Sequence, residues 1–164
     1  MDKKTFIIYF RNFVFGVEDS LVSTVGLLSG IAIAGTPKRI IILTGVVLIF
    51  VEAFSMASGS FLSEAEAEDI SNKYNKKTHK NSLLSGIIMF VSYFFSGFIP
   101  LLPYTFLPAQ QALKYSILFS LIALLILGII GGKVSHKSLW KNALRTILVG
   151  GMAILIGILI GSWL

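Results

Sequence analysis

The chain contains no cysteine. That excludes disulfides, thiolate metal sites and thiol nucleophiles. Histidine is nearly absent too. His79 and His136 stand alone in polar connecting stretches, so no His-rich metal site exists. Charge is scarce: Asp, Glu, Lys and Arg make up 13% of the 164 residues, where a soluble domain carries about 25%. No G-x-G-x-x-G, phosphate loop or nucleophile elbow occurs, so an enzyme is not expected. A secretory signal is not expected either. The first apolar run is too long for a signal h-region, and no small-residue cleavage site follows it.

Long apolar runs take the place of what is missing. Hydrophobic residues reach 55% and the mean hydropathy is +0.84. Five runs, about Phe13–Ala34, Ile40–Leu62, Leu83–Leu102, Ala112–Ile130 and Ala143–Leu164, are each long enough as helices to cross a hydrocarbon core of about 30 Å. The expected fold is an all-α integral membrane protein forming a single transmembrane domain over 1–164. Eleven of the fourteen Lys and Arg residues fall at the amino end, between runs two and three, and between runs four and five. The positive-inside rule then predicts a cytoplasmic amino terminus and an outer carboxyl terminus. The same clustering explains the net charge of +6 through lipid contact, with no nucleic-acid partner. Gly35-Thr36-Pro37 predicts a tight turn that makes the first two spans antiparallel neighbours. Pro100 and Pro103 are expected to stop or bend the third helix. The second helix is expected to run on through Glu64, Glu66, Glu68 and Asp69, because Ala and Glu favour helix and no breaker intervenes. The connection 63–82 is short and cytoplasmic, with a polar loop at 71–77.

Two stretches place acid inside the membrane. Phe15-Gly16-Val17-Glu18-Asp19-Ser20 lies in the first span and Val51-Glu52-Ala53-Phe54-Ser55-Met56 in the second. A carboxylate at bilayer depth costs roughly 2.5–3.5 kcal/mol, which makes each a functional candidate. Counted from the inner boundary, Asp19 and Met56 lie equally deep, about 9 Å by the helical rise, and Glu52 is one turn deeper. Asp19, Ser23, Gly26 and Gly30 share one helix face, as do Glu52, Met56, Gly59 and Ser63, with Ser55 beside them. Facing each other, these stripes would line a polar seam between spans one and two. Carboxylates with a thioether suit a transition-metal cation. Because one chain offers few donors, a symmetric dimer with span one near its axis would double the ligand set. Gly26, Gly30, Gly59, Gly157 and Gly161 are expected to serve helix packing. Plainer readings stand beside these. Glu52, Asp19 or Glu18 could be neutral packing acids, Met56 could be core filler, and the acids at Glu64, Glu66 and Glu68 could be a solvated face rather than a cation-collecting mouth.

The two acid stretches also resemble the vacuolar iron transporter family. Gly16-Val17-Glu18-Asp19-Ser20-Leu21-Val22-Ser23 is similar to its first-helix signature, and Ser55-Met56-Ala57-Ser58-Gly59 to its second-helix Ser-Met-Ala-x-Gly motif. Pro100-Leu101-Leu102-Pro103-Tyr104 and Leu144-Arg145 with Gly150-Gly151 resemble the ends of its third and fifth helices. The resemblance implies five spans and a homodimer that exports ferrous iron, often manganese as well, from the cytosol in exchange for protons. It implies Asp19 and Met56 as pathway residues. Ser20, where the family usually has Gly, departs from the pattern, as do Ser60, where it typically has Glu, and the acid Glu52. The glutamate-rich cytoplasmic insert of plant and protozoan members is absent, and only the Glu64–Asp69 cluster could stand in for it.

These readings converge on a divalent-metal transporter working by proton antiport. Fe2+ or Mn2+ would be its substrate, no cofactor would be permanently bound, and its partners would be membrane lipid, metal ions and protons. A passive cation channel and a non-transporting interaction subunit are the alternatives. The Lys-, Ile- and Phe-rich composition without a loop insert points to a prokaryotic plasma membrane, or to the vacuolar membrane in a eukaryote.

Overall fold

The computed structural model describes residues 3–71, 80–136 and 138–163. They form five helices: α1 (Lys3–Ile33), α2 (Lys38–Ser71), α3 (Lys80–Phe106), α4 (Ala109–Val134) and α5 (Leu139–Trp163). All five are long and apolar enough to span a membrane. Each outruns the apolar stretch that foretold it, because Lys, Arg and Glu at the ends are good helix formers. As expected, α2 continues through the Glu64–Asp69 cluster. The loop expected at 71–77, with Lys73, Lys76 and Lys77, lies outside the described residues from position 72 on, as do His79 and Lys137.

The α1–α2 turn follows its sequence. Gly35 takes a left-handed φ of 77°, a conformation open to a residue without Cβ. The Pro37 carbonyl accepts from the Ile40 and Ile41 amides and so starts α2. The prolines of α3 do not stop it: the helix runs through Pro100 and Pro103 to Phe106. Both rings are buried, where neighbouring helices tolerate the missing donors. The chain then turns within two residues, and Pro108 precedes α4.

Small residues decide which helices meet. Gly26 and Gly30 of α1 lie against the backbone of Ala153, Gly157 and Gly161 of α5, so close that a Cβ at Gly157 or Gly161 would overlap the carbonyl oxygen of Gly26 or Gly30. Such a stripe-on-stripe approach is the small-xxx-small arrangement of membrane helices. Here it joins two helices of one chain. On its other side α1 lies along α3, where Gly16 meets Met89 and Ser92. Thus α1 packs mainly on α3 and α5, and meets α2 over a shorter stretch than the expected α1–α2 seam requires. α2 packs along α3 instead, with Gly86 against Ala57 and Gly97 against Ile49. The apolar core, formed by Leu28, Ile41, Ile49, Leu101, Tyr104 and Ala112, sits toward the end of the bundle that holds the α1–α2 turn. The acids sit toward the other end.

Candidate functional site

Successive residues of a helix point about 100° apart, and this separates the two acids of α1. Asp19 is half-buried and lines a cleft of about 420 Å³ that runs along α1 and α5, with Ser23, Gly26, Gly30, Gly157 and Gly161 on its walls. Glu18 faces a different cavity, of about 370 Å³, between α1 and the α4–α5 hairpin. Its neighbours there are Arg11, Asn142 and Arg145, and the Arg145 guanidinium acts on its charge. The structure therefore brings Asp19, not Glu18, to the cleft.

Glu52 comes to Asp19 from α2. Both are half-buried, and the carboxylates are close enough for their charges to act on one another. Met56, also half-buried, lies one turn along α2 from Glu52. Ser55 is exposed and belongs to the outer face of α2. Gly59 is exposed as well, and a Cβ there would meet nothing, so within this chain it closes no helix contact. Among the described residues no group of three or more His, Asp or Glu side chains could hold a metal ion. Asp19, Glu52 and Met56 together would be two carboxylates and a thioether, short of the four to six donors that a divalent ion takes.

Two features escaped the sequence reading. The first is Tyr93 of α3, fully buried, whose phenol oxygen is 2.8 Å from the Ser23 hydroxyl and within electrostatic range of both Asp19 and Glu52. A lone tyrosine between Ser92 and Ser96 in an apolar run was its only signal. The second is the engagement of the acids on the α2 extension. Arg11 donates to Glu64, forming an ion pair whose carboxylate side is 13% exposed. Ser82 donates to Glu68 at 2.8 Å, while Glu66 is exposed. Glu64 and Glu68 therefore tie the α2 extension to α1 and α3, in addition to any role as cation collectors.

Comparison with known proteins adds an independent line. A family model described as the VIT family matches residues 10–81 and 71–162. A vacuolar iron transporter of Centaurea cyanus is 41% identical over 80 residues, covering 48% of this chain and 32% of that protein. Vacuolar iron transporter homolog 3 of Arabidopsis thaliana is 30% identical over 169 residues, covering 94% of this chain and 84% of its own length. Vacuolar iron transporter 1 of rice, Oryza sativa subsp. japonica, is 23% identical with 87% and 80% covered. Against the Centaurea and Eucalyptus grandis proteins the chain spans about a third of the relative's length.

Proposed function

Since the chain belongs to the VIT family, we propose that it carries a divalent transition metal, ferrous iron and also manganese, out of the cytosol in exchange for protons. The observation that carries this reading is Asp19, an acid at membrane depth that lines an open cleft, with Glu52 of a second helix within electrostatic range of it. Two charges of one sign in a low-dielectric region repel unless a cation or protons neutralise them. Metal and protons therefore compete for the same carboxylates: binding metal releases protons, and protonation releases metal. Met56 would supply a soft donor, which favours a softer cation such as iron over magnesium or calcium. The relatives named above are called vacuolar iron transporters, which supports iron as the substrate.

The working unit in this reading is a homodimer. The donors of one chain are too few, and the cleft that Asp19 lines is open along α1 and α5. A second copy across that cleft brings a second Asp19. The bias of Lys and Arg supports an amino end in the cytoplasm and a carboxyl end outside. The relatives compared are plant proteins named for the vacuole. They lend no support to the prokaryotic plasma membrane expected from composition, and a vacuolar membrane fits them.

Purified protein in proteoliposomes tests the reading, with uptake of Fe2+, Mn2+, Co2+, Zn2+ and Ca2+ followed at two pH values. Uphill uptake of iron or manganese driven by an imposed pH gradient is expected. Metal flux that only runs downhill and ignores the pH gradient would show a passive channel instead.

A further inference from the structure

Asp19 and Glu52 belong to helices that share only a short contact, yet each helix is gripped beside its acid by α3, and the two acids lie within electrostatic range of one another. What holds them is one turn of α3. On its α1 side, Ser20 donates to the Tyr93 carbonyl oxygen at 2.6 Å, and the Ser23 hydroxyl and the Tyr93 phenol share a hydrogen bond of 2.8 Å. These two serines flank Asp19 by one residue and by one helical turn. On its α2 side, the Phe94 ring meets the Phe50 ring edge-on at 5.0 Å, and Gly97 lies against Ile49, so the grip falls within a turn of Glu52. Gly97 serves both sides, because a Cβ there would meet Ser20 Oγ at 2.8 Å and Ile49 Cγ1 at 2.8 Å. Ser96 also donates to the Tyr93 carbonyl, at 3.2 Å. Tyr93 itself has no solvent exposure.

We propose that Tyr93 is a positioning residue of the transport site: its phenol and carbonyl, held by Ser23 and Ser20, fix the register of α1 on α3 and so set Asp19 opposite Glu52. The inference rests on the transport reading above and deepens it. The Tyr93 ring could be supplied by phenylalanine with no change of core volume. Its hydroxyl bonds to the α1 residue one turn beyond Asp19, and both acids lie in electrostatic range of it. A hydroxyl that only filled space would leave metal affinity unchanged when removed. One that sets the separation of two ligands would alter affinity first, because a misplacement of a fraction of an ångström weakens every bond to the ion at once.

Mn2+ uptake into proteoliposomes by wild type, Tyr93→Phe, Ser23→Ala and the double variant is the test, with the Tm of each protein measured in detergent. Both single variants are expected to raise the KM for Mn2+ by about tenfold, the scale of a misplaced reacting group, with the maximal rate within about twofold of wild type. The double variant is expected to match the worse single variant, since both remove the same hydrogen bond. Unchanged KM in both single variants, even with a lowered Tm, shows a merely structural tyrosine and overturns the proposal, as does full additivity of the two effects. If Tyr93→Phe fails to fold, Ser23→Ala alone decides by the same criterion. Wild-type protein that moves no metal overturns the transport reading itself, and this inference with it. Normal wild-type flux with unaltered variants overturns the positioning role alone.

Discussion

Adding one methyl group at two glycines of this chain should move stability in opposite directions. Alanine in a helix interior is better than glycine by about 0.5–1 kcal/mol, because glycine loses more backbone freedom on folding. Gly59 shows that gain without opposition, since a Cβ there meets nothing within 4 Å. Gly157 opposes it. Its Cβ would overlap the carbonyl oxygen of Gly26, and that atom belongs to a helix backbone that cannot rotate aside as a side chain can. Forcing such an overlap costs roughly 1–3 kcal/mol, so after the propensity gain Gly157→Ala should lose up to about 2.5 kcal/mol. For a chain of this size about 1 kcal/mol moves Tm by roughly 2–4 °C. Thermal unfolding in a mild detergent should therefore show Gly59→Ala raised by up to a few degrees and Gly157→Ala lowered by several. A Gly157→Ala protein as stable as wild type, or shifts of one sign at both positions, would refute the close α1–α5 approach.

The remaining expectations concern the acids and their partners. Glu52→Gln keeps the shape and a donor but removes the ionisable group, so pH-driven metal flux should fall by at least tenfold, about 1.4 kcal/mol; wild-type coupling in that variant would assign Glu52 to helix packing. Met56→Leu keeps the bulk and loses the sulfur, so competition assays should show iron losing more of its preference over calcium and magnesium than the overall rate loses; an unchanged metal ranking contradicts the ligand role. Glu64→Gln with Glu68→Gln should weaken apparent metal affinity and leave transport in place, since these acids lie on the α2 extension away from Asp19 and anchor α2 to α1 and α3. Complete loss of flux there would extend the essential site out of the membrane.

The membrane spans were legible because a bilayer imposes one rule, length and apolarity, that each segment satisfies alone. The acids of α1 and α2 stood out for the same reason, as costly exceptions to that rule. Which helices meet was not legible. Gly26 and Gly30 advertise close packing, and so do Gly157 and Gly161, but nothing in the order of residues says that these stripes meet each other rather than a second copy. Tyr93 was hidden because its importance lies in contacts with Ser20 and Ser23, some seventy residues earlier. Arg11 reads as a topology signal, and its pairing with Glu64 of another helix is not visible in the order of residues. The prolines of α3 do not end it, because the rule that they end helices is weakest where neighbouring helices bury them.

The central claim is that metal and protons contend for the acid Asp19 contributes. It is tested most directly by following metal uptake and internal pH together in proteoliposomes that carry wild type or Asp19→Asn. Wild-type vesicles should move protons opposite to iron or manganese in a fixed ratio, and Asp19→Asn should abolish both movements while the protein remains folded. Metal uptake without counter-movement of protons in wild type, or coupled flux that survives in Asp19→Asn, would contradict the account.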